Sequence, residues 1–395
     1  MTKSAHSLSL ILPLGTGMIV SFASSYYLLG VMAEPVAAAT GATTHQLFAA
    51  LSGAFFIAAC SSMVSGKWID RRGGREVLVA AALMLAAALA ILAFAQTAIM
   101  AFVGVLALGF GMGVGFYAPA NALLVSVCGM EAKKPITAVS LMGACGGAIG
   151  WPLTLGLIEW LGWRGACGVW ALAHLLVCIP LYHFCLPKGA VGVTIDQAAA
   201  APVRWDRRMV QMALLFAGAW WVATACAAQL PRLMQALGLS PAGAAMAASA
   251  MALSAIAMRV LALLAPPKAS PLHTVRLATL LHPAGVVIAM VGGKAASVAV
   301  ALGQGAGNGL LSVASGVLPL HVFGKENYGQ RQVAILLLAR FVQAIAPLSF
   351  GLALDRSAGF ALGLTSAVCL AMFALTLGLE RKGAIASRIV ARDRA

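Results

Sequence analysis

The chain has 395 residues, 62% of them hydrophobic and only 9% charged, with a mean hydropathy of +0.95 and a formal net charge of +15. A soluble domain carries about a quarter charged residues, so water is excluded as the solvent for most of this surface and the lipid bilayer takes its place. The bases come in small groups between apolar stretches rather than in one run, which excludes a nucleic-acid interface.

A membrane-spanning helix needs about 20 apolar residues. The sequence predicts twelve, at about 10–33, 46–68, 76–96, 98–127, 135–160, 165–186, 209–231, 242–265, 276–292, 295–320, 331–353 and 360–380. The expected fold class is an all-α membrane protein of two pseudo-symmetric six-helix bundles. The polar stretch 187–208 divides the helices six and six, so it is expected to be a linker between an N-terminal bundle (1–186) and a C-terminal one (209–395). The first apolar run is too long for a cleavable signal peptide and reads as the first helix.

Charge placement gives the expected orientation. With the N-terminus in the cytoplasm, 20 of the 26 Lys and Arg fall on the cytoplasmic side, four fall outside (Arg164, Arg232, Lys294, Arg356) and two lie within helices (Arg259, Arg340). Positive residues accumulate on the cytoplasmic side of membrane proteins, so both termini and the linker are expected there, with the cell's inner or plasma membrane as the location. Trp68, Trp160, Trp163 and Trp205 fall at expected membrane interfaces, where indole rings collect.

In chain order, the sharpest motif lies between the second and third helices: Gly66-Lys-Trp-Ile-Asp70-Arg71-Arg-Gly73-Gly-Arg75. Its glycines permit a tight reversal, and its acid can pair with an arginine or sit against a helix N-terminus. The fourth helix carries Gly109-x-Gly111-x-Gly113-x-Gly115, and the tenth repeats it as Gly303-x-Gly305-x-Gly307-x-Gly309, an offset of 194. Pro152-Leu-Thr-Leu-Gly156 in the fifth helix recurs as Pro347-Leu-Ser-Phe-Gly351 in the eleventh. Pro35, read as following the first helix, matches Pro231 after the seventh. Each match sets one helix on the helix six places later, so the chain reads as a duplicated half. Parallel halves with a site between them at mid-membrane are a known transporter plan. The run Gly143 to Gly156 reads as close helix packing; it also resembles the glycine–proline motif of a group of membrane exporters, with Trp151 inserted before the proline, and that resemblance implies export as the alternative.

Arg340 lies nine residues past Arg331, roughly 14 Å along a helix, and Arg259 lies six residues before Ala265, roughly 9 Å. All 11 acids are placed in loops or at helix ends. A cation deep in a span normally faces a cavity or a partner, and without a carboxylate partner the two arginines read as an anion site, with snorkelling to the cytoplasmic face as the alternative for Arg259. The accompanying candidates are Tyr26 and Tyr27 with Ser24 and Ser25 in the first helix, Tyr117 and Asn121 in the fourth, and Trp220, Trp221 and Thr224 in the seventh. Gln304, Asn308 and Ser312 in the tenth and Gln343 beside Arg340 complete the set. Interhelical hydrogen bonding is the alternative role for each. His174 and His282 read as packed histidines.

The Gly66–Arg75 loop resembles the signature G-x-x-x-D-R-x-G-x-R of the major facilitator superfamily, at the position where that family has it, and the resemblance extends over the whole chain. It implies that Gly66, Asp70, Arg71, Gly73 and Arg75 form a cytoplasmic latch stabilising one access state. The corresponding stretch Leu261–Lys268 keeps neither the glycine nor the acid. Within the superfamily the chain is most similar to bacterial monocarboxylate-transporter-like members, through the pattern of the first three helices, the stretch Trp160-Leu-Gly-Trp163-Arg164 and Arg259 in the eighth helix. The resemblance implies a proton-carrying acid one turn before that arginine, where this chain has Ala255, and a lysine in the first helix, where 10–33 has none.

The expected function is therefore secondary transport of a small solute, an organic anion such as a monocarboxylate, with export of an amphipathic drug or a soft metalloid as the alternative. No enzyme activity is expected, because hydrolytic chemistry in lipid needs paired acids, a metal triad or a nucleophile with a base. The eight cysteines lack ligand spacing and read as buried apolar residues, so no metal and no cofactor are expected. No P-loop is present, so ATP is not an expected partner, and the expected state is a monomer.

Overall fold

The computed structural model describes residues 3–128, 133–188, 205–264, 270–323 and 328–379. Among these residues every regular element is helical. The first span joins Lys3–Ser21, a π-helical turn at Phe22–Tyr26 and the short apolar helix Leu29–Thr40. The second to fourth are Thr44–Arg72, Gly74–Ala93, and Ala98–Gly115 continued by Tyr117–Cys128. The seventh to twelfth are Arg207–Ala236, Pro241–Leu264, Pro271–Ala296, Val298–Phe323, Tyr328–Arg356 and Ala358–Leu377.

Between them Lys133–Ala173 runs into a π turn at His174–Cys178 and then Ile179–Cys185. Eleven stretches of the described residues are long and apolar enough to cross a membrane, and one of them, Pro135–Cys185, has 51 residues. A straight helix of that length would run about 77 Å against a hydrocarbon core of about 30 Å. It does not run straight. Gly162 has φ 70° and ψ 169°, outside any helix, and Trp170 Nε1 donates to Thr154 Oγ1 at 3.1 Å across 16 residues. An unbroken helix would hold those groups about 24 Å apart. The chain folds back at Gly162, so this stretch supplies both the fifth and the sixth span, and the eleven stretches make up the twelve spans expected from the sequence.

Polar residues set the span starts. Thr43 and Gln46 form a reciprocal capping box at the second span, with bonds of 2.9 and 3.2 Å. Thr97, Asp206 and Ser357 accept from the N–H three residues on at the fourth, seventh and twelfth. Each satisfies a backbone donor that lipid would leave bare.

Prolines do not set the ends as expected. Pro35 and Pro231 both lie inside helices, which continue to Thr40 and Ala236. A proline removes one helical bond, but in a membrane bundle neighbouring helices compensate, so it does not stop the span. One consequence is that Glu34, expected at a helix end, lies within Leu29–Thr40 and is exposed. The expected linker 187–208 falls mostly outside the described residues. Trp160 is 81% exposed and Trp205 54%, as an interfacial belt requires, but Trp163 is buried with the Arg164 guanidinium 4.2 Å above its ring.

Small residues bring the spans together. A Cβ on Gly109 would collide with the Ala54 carbonyl of the second span, and one on Gly111 with Leu85 of the third. In the other bundle Gly305 faces the Met251 carbonyl of the eighth span, and Gly307 the Ala278 carbonyl of the ninth. Packing thus aligns Gly109 with Gly305 and Gly111 with Gly307, an offset of 196 rather than the 194 read from the glycine runs. That is also the offset between Pro35 and Pro231. In the fifth span Gly146 and Gly150 abut Phe22 and Ala23 of the first. This is close helix contact of the kind small residues permit.

Candidate functional site

Between the bundles at mid-height lies a cavity of about 370 Å³. Its described walls come from the first, second, fourth and fifth spans on one side and the seventh, eighth, tenth and eleventh on the other. Among the described residues, the third, sixth, ninth and twelfth spans contribute none of the lining.

Both membrane arginines reach this cavity. Arg259 stands one turn after Ala255, which also lines it, and its Nε donates to Ser312 Oγ at 2.8 Å. Its two terminal nitrogens have no partner among the described residues. Arg340 donates through a terminal nitrogen to Ser62 Oγ at 3.0 Å, linking the eleventh span to the second. No described carboxylate lines the cavity. Tyr27 and Tyr117 line the wall contributed by the other bundle.

The opposing wall is aromatic, and a local irregularity builds it. The Tyr27 N–H bonds to the Phe22 carbonyl at 3.1 Å, five residues back, so the first span is over-wide where Tyr26 and Tyr27 emerge; such π turns recur at functional sites. Ser24 Oγ and His174 Nε2, 2.9 Å apart and both fully buried, hold the bulge from behind. A second π turn, at His174–Cys178, supplies that histidine. Phe22 stacks on Phe116 with centroids 4.2 Å apart and lies 5.2 Å from Tyr117. Tyr26 meets Phe55 edge-on at 5.2 Å, and its hydroxyl is 2.8 Å from Thr224 Oγ1 of the seventh span.

Of the ten residues expected to bind substrate, eight line this one cavity: Arg340, Arg259, Asn308, Tyr26, Tyr27, Tyr117, Trp220 and Gln343. Two do not. Gln304 is 5% exposed and faces a small adjoining pocket with His282 and Cys369. Asn121 is absent from the lining, and its Oδ1 is buried without a partner. The fourth span breaks at Phe116, with ψ −145°; Tyr117 directly after it still lines the cavity, but Asn121, one turn further on, does not.

Sequence reasoning missed Phe22, Phe55, Phe116, Ser62 and Ser315, all in the lining. Phe22 and Tyr26 stand four apart, a helical-face spacing that pointed to a shared surface. None of the eight cysteines lines the cavity.

The expected latch is described in part. Gly66 and Asp70 fall within Thr44–Arg72, but the surroundings of both lie outside the described residues. Arg71 is exposed, and Gly73 ends the second span at φ 82°. Arg75 is buried, 3.1 Å from His183 Nδ1 and donating to the Leu186 carbonyl at 3.4 Å, so it ties the third span to the end of the sixth.

On the face of the short odd-to-even turns the two bundles are in direct contact. His45 Nε2 and Arg232 each lie 2.7 Å from Asp355, which joins the start of the second span to the ends of the seventh and eleventh. Beside Pro347, the Leu348 N–H donates to Ser52 Oγ of the second span at 3.1 Å. Gly30 of the first span has room for no Cβ against Trp151 and the Ala228 carbonyl.

This architecture has known counterparts. The Major Facilitator Superfamily model matches residues 14–347, and the chain belongs to that superfamily, whose members are transporters. The protein is a multi-pass membrane transporter with the fold of that family. None of the curated proteins matches the chain. Among solved structures it is similar to a D-xylose–proton symporter, at 14% identity and TM-score 0.72 over 93% of this chain and 96% of that one. It is also similar to the nucleoside transporter NupG, at 11% and 0.77 over 94% and 100%. A bacterial homolog to the human lysosomal transporter Spinster, captured inward-facing, matches at 14% and 0.67 over 96% and 95%. At these identities the likeness is one of fold.

Proposed function

We propose that the protein is a secondary carrier of a small organic anion, a monocarboxylate being the simplest case. It works by alternating access around the cavity between its bundles. The observation that carries this reading is the pair Arg259 and Arg340 in one cavity with no described carboxylate on its walls. A guanidinium holds a carboxylate through paired, charge-assisted hydrogen bonds, and two unneutralised cations in a low-dielectric setting favour an anionic guest over a neutral or cationic one. The resemblance to monocarboxylate-transporter-like members, which includes Arg259 but not the acid one turn before it, points to the same class.

A panel of radiolabelled carboxylates presented to the purified protein in liposomes tests it. Saturable uptake of at least one monoacid, with its neutral amide excluded, is expected. Transport of neutral and cationic solutes alone would overturn the reading. Export of an amphipathic drug is favoured by the aromatic wall, and the same panel with lipophilic cations checks it. The metalloid alternative draws no support from the cavity, whose lining holds no thiol.

The same proposal places the protein in the cell's inner membrane as a monomer with both termini and the 187–208 linker in the cytoplasm, from the 20-to-4 distribution of bases. A reporter inserted at residue 200 is expected to be active only in the cytoplasmic form.

A further inference from the structure

The cavity has two chemically different walls. On the C-terminal side Arg259 and Arg340 supply charge, with Asn308 and Gln343 beside them. On the N-terminal side Phe22, Tyr26, Tyr27, Phe55, Phe116 and Tyr117 form a cluster of rings around Phe22 and Tyr26, each within 4.2–5.8 Å of one of those two by centroid. Two of their hydroxyls are already committed, Tyr26 to Thr224 and Tyr117 to the Ser140 carbonyl. The surface this wall offers a guest is therefore ring faces and edges rather than hydrogen-bonding groups.

We propose that the cargo is an aromatic carboxylate: a planar ring lying against the Phe22–Phe116–Tyr27 wall, with its acid group on Arg259 and Arg340. The inference rests on the anion reading above and adds the chemistry of the rest of the molecule. Size and polarity both point this way. At about 370 Å³ the cavity falls in the range of sites for ring-bearing ligands, and a three-carbon acid would leave most of it filled with water against rings. A polyhydroxylated anion would meet the opposite problem, its hydroxyls facing a wall with few groups to bond them. A ring fits, because aromatic pairs at such distances attract beyond what area burial alone supplies.

Binding to the purified full chain, measured by titration calorimetry, separates the components. Phenylacetate is compared with cyclohexylacetate (equal in charge and close in size but without π-electrons) and with phenylacetamide, equal in shape but neutral. Phenylacetate is expected to bind about three- to tenfold tighter than cyclohexylacetate, and phenylacetamide weakest. Phe116→Leu, and separately Phe22→Leu, are expected to erase the phenyl preference, bringing phenylacetate and cyclohexylacetate to within about twofold of one another. Equal affinity for the two acids, or a phenyl preference that survives both substitutions, overturns the aromatic inference and leaves the anion reading standing. Equal affinity for phenylacetate and phenylacetamide overturns it through its other half, since the arginines would then not be reading the charge.

Discussion

Arg259 and Arg340 differ in what holds them, and that difference predicts how each tolerates change. Arg340 reaches from the eleventh span to Ser62 of the second, so it touches both bundles at once. Losing a charge-assisted bond to a buried anion costs about 2–5 kcal/mol, a factor of thirty to several thousand in affinity. Arg340→Gln is expected to lose carboxylate binding on that scale, and Arg340→Lys to keep part of it, because the charge survives but the planar fork does not. A neutral analogue of the same size should suffer far less, by calorimetry or by uptake. Equal losses for both ligands would mean that Arg340 holds helices together and does nothing for the substrate. Much of this site was legible in advance. A cation deep in an apolar span is costly wherever it sits, so both arginines announced themselves, as did the tyrosines. The phenylalanines did not, since a ring facing a cavity and a ring facing lipid look alike in sequence. Asn121 misled because the break at Phe116, one residue beyond the glycine run, carries no residue that forces it.

Helices that approach at backbone distance impose a rule on their glycines. A Cβ on Gly305 would press into the Met251 carbonyl, a backbone atom that has no rotamer to adopt. Gly305→Ala is expected to destabilise the packing of the eighth and tenth spans by about 1–3 kcal/mol, read as a lowered unfolding temperature in detergent. Gly363 on the exposed face of the twelfth span meets nothing within 4 Å. Gly363→Ala should therefore leave stability unchanged or raise it by up to about 1 kcal/mol, through helix propensity alone. If both variants lose stability equally, backbone proximity is not what the repeated glycines provide. The existence of the twelve spans could be read from hydropathy, and the duplication from the glycine and proline matches. The register of the duplication could not be read, because alternate glycines serve different neighbours and a shift of two residues preserves the pattern while exchanging them. Pro35 and Pro231 looked like stops for a related reason: the rule that prolines end helices comes from water, where a freed carbonyl is solvated at once.

Among the described residues, several contacts between the bundles gather at one face. One face is held by His45, Asp355 and Arg232, by Ser52 with Leu348, and by Gly30 against the seventh span, while the cavity lies at mid-height beneath them. The alternating access proposed above would require these contacts to part in every cycle. Asp355 is 28% exposed and His45 42%, so their attraction is screened and worth at most about 1 kcal/mol. Asp355→Asn is accordingly expected to speed amide exchange in Leu29–Thr40 and at 228–236 by up to about fivefold, seen by hydrogen–deuterium exchange in detergent. Exchange slowed by the substitution would show that this cluster does not help keep that face shut.

The absence of a described carboxylate around the cavity has one more consequence, for the empty protein. With no guest aboard, two positive charges sit near mid-membrane, and switching the water-filled approach from one face to the other carries them through part of the transmembrane voltage. One elementary charge crossing 100 mV is worth about 2.3 kcal/mol, so in the cycle proposed above membrane potential acts more strongly on the return of the unloaded carrier, with two charges, than on the loaded step, in which a bound monoanion offsets one of them. Voltage steps across a bilayer holding the ligand-free protein should therefore displace charge. That signal should shrink in Arg340→Gln and vanish when Arg259→Gln is added. An undiminished signal in the double variant would place the moving charge somewhere other than these two side chains.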